Sequence, residues 1–192
     1  MAETGVRVGL RDLHYAILQQ DDETGVTYSQ PKLMSKAIQA TINPTTNSQT
    51  LYADDGPSDV ATALGEIAVS LQVRDLPNDV LEEILGHTVD QNGVLIKKST
   101  DVAPYVAIGF RSVKSNGKYR YVWLYKGKFR PQQDEYQTKQ EQPAFQTPTI
   151  EGTFIRRDFD NAWQAVGDED DAAFTKGDTW FDAVYDPNAP AG

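Results

Sequence analysis

Residues 64–74 read LGEIAVSLQVR, and this stretch decides the fold class. Ile67, Val69, Leu71 and Val73 fall on one side of an extended chain, and Glu66, Ala68, Ser70, Gln72 and Arg74 on the other. That is the two-residue period of a strand with one buried face and one small, polar face. Upstream, residues 32–42 alternate in the same way: Met34, Ile38, Ala40 and Ile42 against Ser35, Gln39 and Thr41, with Pro44 as the expected end of the strand. Between the two strands lies NPTTNSQTLYADDGPSDVATA, residues 43–63. This stretch reads as a connection longer than compact domains ordinarily tolerate, and so as a functional or disordered one. Leu51 and Tyr52 within it are side chains that a purely solvated loop has no need of.

Downstream, Pro77 to Leu85 reads as the one convincing helix. Pro77 suits its first turn, Asp79, Glu82 and Glu83 favour its N-terminal half, Val80, Leu81, Ile84 and Leu85 form one apolar stripe, and Gly86 is placed to close it. So short a helix has to pack on a sheet. The next clear signal is Asn116-Gly117, the pair favoured in a two-residue type I′ hairpin turn. Counted outward from that turn, Ser115 pairs with Lys118, Ser112 faces Tyr121, Phe110 faces Trp123 and Ile108 faces Tyr125. This predicts an aromatic cluster on one face. The opposite face would carry Arg111, Arg120, Lys126 and Lys128 among Val113, Val122 and Leu124, suited equally to a subunit contact or to a lightly covered second layer. Further strands are expected near Leu10–Leu18, Thr149–Arg157 and Trp180–Tyr185. Residues 131–148 read as a Gln- and Pro-rich excursion and 187–192 as a flexible tail, leaving a single domain over 1–186.

The composition sets the limits of function. A chain of 192 residues can bury a core without staples, and with no cysteine there are no disulfides and no thiolate metal sites. No run approaches the roughly 20 apolar residues that span a bilayer; the longest, Tyr105 to Phe110, is strand-sized. The start Met1-Ala2-Glu3-Thr4 lacks a basic, then apolar leader. A formal net charge of −10 argues against classical nucleic-acid binding. It is compatible with an acidic surface past which DNA slides.

No catalytic pattern emerges. His14 and His87 are far apart and have no partner at helical ligand spacing, so a strand histidine and a helix-end histidine are expected rather than a zinc site. Residues 21–23 (DDE) and 168–171 (DEDD) lack the EF-hand spacing and read as solvated turns, as does Asp54-Asp55-Gly56-Pro57. There is no nucleophile elbow, phosphate loop or dinucleotide fingerprint. No cofactor is expected and no enzyme activity is indicated. Two other classes stay open on the residues alone: a monomeric β-sandwich that binds carbohydrate through exposed aromatics, and a hydrolase with two close carboxylates.

The ordered set of motifs narrows this. Gly9-Leu10-Arg11-Asp12-Leu13, residues 50–56 (TLYADDG), Leu64-Gly65-Glu66-Ile67, Leu85-Gly86-His87, residues 103–110 (APYVAIGF), 116–129 (NGKYRYVWLYKGKF), 145–157 (FQTPTIEGTFIRR) and 180–185 (WFDAVY) follow one another along nearly the whole chain. Together they resemble the major tail protein family of long, non-contractile-tailed phages (siphophages) and prophages of Gram-positive bacteria. The resemblance implies a mainly β fold, a β-sandwich or barrel with one flanking helix and a long inter-strand loop. It implies a virion protein that assembles in the bacterial host cytoplasm into stacked hexameric rings, the hollow tube that delivers phage DNA. The implied partners are further copies of the chain, a tape-measure protein, and distal-tail and tail-terminator proteins, with DNA passing without tight binding and no membrane. By the same analogy Thr46, Leu51, Tyr52, Asp54 and Asp55 are candidates for contacts between rings. Gln39, Thr41, Glu66, Ser70 and Gln72 are candidates for lining the lumen, with Arg74 a lone basic exception near one end.

Overall fold

The computed structural model describes residues 4–53, 56–132 and 147–188. The elements run β1 (Arg7–Asp22), β2 (Gly25–Tyr28), β3 (Lys32–Ser35), β4 (Ala37–Ala53), β5 (Gly56–Val73), α1 (Asn78–Leu85), β6 (Thr88–Val89), β7 (Leu95–Ile96), β8 (Val106–Lys114), β9 (Tyr119–Phe129), β10 (Thr149–Ile155) and β11 (Gln164–Asp168), followed by a single 3-10 turn at Gly177–Thr179. One sheet in the order β2-β1-β8-β9-β10-β5-β4 takes up most of the chain; β3 pairs with β1, and β11 pairs with β9 beside β10. All of its pairings are antiparallel. The sheet curls until β1 and β4 approach each other, giving a half-barrel. The fold is thus mainly β with one flanking helix.

The inside of the curl holds the larger core. Ile67, Val69, Leu71 and Val73 of β5 meet Ile108, Phe110, Val122, Leu124, Phe129, Ile150 and Phe154, and α1 adds Val80, Leu81, Ile84 and Leu85. The alternation of residues 64–74 therefore reports burial as expected. Pro77 caps α1 from just outside its first turn, and Gly86 closes it in the left-handed conformation at φ 72°.

Three expectations change. The β8–β9 turn is not type I′, which requires positive φ at both central residues; among Ser115, Asn116 and Gly117 only Gly117 has positive φ, at 81°. The backbone N–H of Gly117 donates to Lys114 and that of Lys114 to Lys118, a three-residue loop. The register slips by one: Phe110 faces Val122, Gly109 faces Trp123 and Ile108 faces Leu124. A one-residue slip turns every side chain over, so Val122 and Leu124 lie in the core and not on a mixed basic face. Tyr121, Trp123 and Tyr125 form a second cluster on the outside with Trp180 and Val184. Trp123 lies flat over Gly109, where an added Cβ would sit 2.7 Å from the indole ring.

Residues 180–185 are not a strand either. They follow the 3-10 turn as further turns and lie across that outer aromatic face, where the Trp123 indole N–H donates to the Trp180 carbonyl at 3.1 Å. Finally, residues 43–63 are not a loop. Apart from Asp54 and Asp55, which fall outside the described residues, they are the far halves of β4 and β5, paired from Thr46↔Leu64 to Ala53↔Gly56. Pro44 does not end β4, because β4 is the last strand of the sheet and a proline without an N–H is tolerated on an edge; the register shifts just after it.

Candidate functional site

Two surfaces of the β4–β5 pair stand out, one polar and one apolar. Beside the core, the side of β5 opposite Ile67, Val69, Leu71 and Val73 joins its neighbours in cross-strand rows. Gln39 faces Gln72 and Gln72 faces Thr149; Thr41 faces Ser70 and Ser70 faces Glu151; Asn43 faces Ala68 and Ala68 faces Thr153. The structure thus brings Gln39, Thr41, Ser70 and Gln72 into two adjacent rows, with Glu66 farther along the same face of β5. Gln72 donates to the Thr147 hydroxyl at 2.8 Å and Gln39 to that of Thr41 at 3.4 Å. Thr149, Glu151 and Thr153 complete the wall, and the alternation of β10, with Ile150 and Phe154 buried, was a signal that could have assigned them. Two cations border it. Arg130 is offset by Glu151 at 3.0 Å, and the Lys128 ammonium sits 4.3 Å over the Tyr105 ring. Arg74 lies just past the end of β5 and is exposed.

Beyond Pro44 the same two strands leave the body as an arm. Residues 43–49 and 58–64 are exposed throughout, so neither face of the ribbon rests on the core. From Thr46 to Ala53 the arm extends about 25 Å at roughly 3.4 Å per residue. Its outer end carries apolar side chains in the open: Leu51 is 63%, Tyr52 71% and Val60 55% exposed. Thr46 lies at the base opposite Leu64, Leu51 opposite Asp59 and Tyr52 opposite Pro57. A two-stranded ribbon alone in water is marginal at best, and an unpaired, apolar edge invites another chain.

The body, by contrast, closes on itself through ion pairs. Buried Lys114 binds Asp168 and, at 2.6 Å, Asp170. Asp170 also accepts from Asn116 at 2.8 Å and from the backbone N–H of Gly5 at 3.2 Å. Glu169 accepts from the Tyr119 N–H and the Tyr121 hydroxyl. The Lys114 ammonium holds the Asp170 carboxyl well below the usual carboxylate range. Burial opposes ionisation of Asp21, but Lys126 and the backbone N–H groups of Asp158 and Phe159 outweigh it and lower its pKa. Arg157 is fully buried, forks onto Asp160 with both contacts at 2.6 Å, reaches Asp186 at 3.2 Å and stacks 4.2 Å over Tyr125. Asp21, Asp168, Glu169 and Asp170 are therefore clamps between distant segments, with partners far away in sequence that spacing alone could not reveal, whereas Asp22, Glu23 and Asp171 are exposed as expected, Asp22 and Asp171 accepting hydrogen bonds only from near neighbours in the chain.

His14 stacks on Phe181 at 4.3 Å between ring centroids, and buried His87 contacts Asp101 through Nδ1 at 2.7 Å. Among the described residues no three histidine, aspartate or glutamate side chains gather as a metal site, and no helix is long and apolar enough to cross a membrane. Tyr121, Trp123 and Tyr125 are buried, so the exposed aromatic groove of a carbohydrate-binding module is not built from them. A cleft of about 710 Å³ opens beside β4, walled by β1, β8, β9 and β11, and no carboxylate lines it. It does not offer the paired acids that a hydrolase needs.

A family model described as phage tail tube protein matches residues 9–186. No curated protein matches the sequence significantly.

Proposed function

The chain belongs to the phage tail tube protein family, and from that premise we propose that its copies close into hexameric rings and stack, through the β4–β5 arm, into the hollow tube of a long non-contractile tail. Membership makes it a structural protein of the virion tail and not an enzyme. The observation that carries the finer reading is the arm: a paired ribbon, exposed on both faces, with Leu51, Tyr52 and Val60 bare at its end. Nothing among the described residues covers it, and contact with further copies would bury it. Thr46, Leu51, Tyr52, Asp54 and Asp55 are the residues that would make contacts between rings.

In this reading the polar rows of β4, β5 and β10 face the bore. Duplex DNA carries about one negative charge per 1.7 Å of axis, and each phosphate neutralised by Lys or Arg adds affinity. A wall of Gln39, Thr41, Ser70 and Gln72, with Glu66 and Glu151 offsetting Lys128 and Arg130 and with Arg74 confined to one end, offers few cations to grip a polyanion. DNA would pass without tight binding on its way into the host. The subunits would assemble in the host cytoplasm, their number of rings set by a tape-measure protein and their ends capped by distal-tail and tail-terminator proteins.

Electron microscopy of the purified chain tests this. Stacked rings with sixfold end-on averages are expected for the natural sequence, and folded subunits that no longer polymerise are expected once residues 46–59 are deleted. Rings of another number would overturn the hexamer, and normal tubes from the deletion would overturn the role of the arm.

A further inference from the structure

We propose that the cleft beside β4 is the seat of the arm: the tip of one copy, led by Leu51 and Tyr52, docks into the cleft of another. This rests on the reading that the chain assembles with itself through the arm, and adds where the arm goes. The cleft is an unfinished piece of core. Its floor includes Ile42, Phe110 and Val122, which belong to the inner cluster or pack on it. Its mouth is bare, with Val8 72%, Ile38 50% and Val166 43% exposed. It runs along β4 from Ile38 to Pro44, up to the point where the β4–β5 ribbon parts from the rest of the sheet, since β5 pairs with β10 only between Ile67 and Gln72, and among the described residues β11 has no neighbour on its far side. A concave surface that sets apolar side chains among a few polar ones is the usual form of a binding site.

The arm is the complement in apolar character and in charge. Leu51 and Tyr52 present apolar side chains in the open near its outer end, and Asp59 sits directly across from Leu51; the sequence adds Asp54 and Asp55 between the two strands. The cleft brings Arg7 and Arg120. Among the described residues Arg7 has no ion pair and Arg120 has one, to Asp168 at 3.8 Å. Acidic tip and basic mouth set the register of docking.

The occupant cannot be the molecule's own arm. Ile38, Ile42 and Pro44 of β4 line the cleft, and Leu51 lies seven residues farther along the same paired strand, roughly 24 Å away at about 3.4 Å per residue. Turning the tip back would break the ladder from Thr46 to Ala53. A second copy has no such constraint. Because arm and cleft are different surfaces, each copy donates one and accepts one, a head-to-tail contact that propagates or closes into a ring.

The absence of cysteine makes the test clean. Chains carrying Leu51→Cys are mixed with chains carrying Val166→Cys, assembled, oxidised and run without reductant; Leu51→Cys mixed with Val102→Cys is the control. All three positions are exposed, so the fold should tolerate the changes, and a disulfide forms only where Cα atoms come within about 7 Å. The result expected is a strong covalent dimer for the Val166 mixture and none for the Val102 mixture. Polymer that cross-links through Val102, or through neither position, would overturn the seat while leaving the arm's role intact. Deletion of residues 46–59 without loss of polymer would instead overturn the arm reading itself. A second variant, Val166→Asp, is expected to lose polymer while the free subunit melts as before; polymer at the natural level would also overturn the seat.

Discussion

Strand β9 and the far halves of β4 and β5 are both regular antiparallel structure in one chain, but they end in opposite states. Tyr121, Val122, Trp123, Leu124 and Tyr125 are all buried: the odd-numbered ones sit under the C-terminal segment and the even-numbered ones face the inner core. The arm has a comparable ladder and, among the described residues, no cover on either face. Backbone pairing alone does not make a structure stable in water; burial of apolar surface does, at about 25 cal/mol per Å². The body has satisfied that requirement internally, and the arm has deferred it. The difference is that between a subunit that folds and a surface that assembles.

The strongest way to break this contrast is to cut the arm. Deleting residues 46–59 should abolish polymer while leaving the melting temperature of the free subunit nearly unchanged, as read by calorimetry below the assembly concentration. A large drop in melting temperature would mean that the body depends on the arm. Conversely, Trp123→Ala removes the outer side chain that lies over Gly109 and should cost about 3–5 kcal/mol of subunit stability, seen as a lower urea midpoint.

Smaller changes sharpen the contrast. Lys126→Met leaves Asp21, whose side chain is 4% exposed, without its cation and should cost roughly 2–4 kcal/mol. Acid should act in the same place. The carboxyls of Asp21, Asp160, Asp168 and Asp170 are all lowered in the fold. The stability they contribute is therefore fully present above their unfolded values near pH 4 and is lost as pH falls through the folded ones. Thermal melts from pH 6 to pH 2 should show the body weakening below about pH 4, and a flat profile would refute the clamps. The smallest effect on the subunit is expected for Leu51→Ser: within about 0.5 kcal/mol on folding, because the side chain is exposed, yet with a clear rise in the concentration needed for polymer by sedimentation.

How much of this could be read from the residues follows the same physics. Alternation was legible wherever one face of a strand is buried, as in β5, and so was the apolar stripe of α1. The arm was read as a loop because both of its faces are in solvent: with no difference between them, Thr46, Asn47, Ser48 and Gln49 leave no hydrophobic period to detect. The β8–β9 register was missed by one residue because Asn116-Gly117 serves two turn types, and the choice goes with the contacts around it, Asn116 being held by Asp170 across the chain. Residues 180–185 are rich in aromatic and β-branched side chains, as a strand would be, but Trp180 and Val184 are buried against an aromatic face rather than in a ladder. The polar rows were found through β4 and β5 and incomplete without β10, whose place beside β5 is a matter of topology.

Hydrogen exchange read by mass spectrometry, on free subunits and on assembled polymer of the natural sequence, tests the contrast most directly. Amides of residues 46–52 and 58–64 should exchange rapidly in the free subunit and slowly in the polymer, while those of residues 106–129 should be protected in both. An arm as protected in the isolated subunit as in the polymer, or one still unprotected after assembly, would contradict the account.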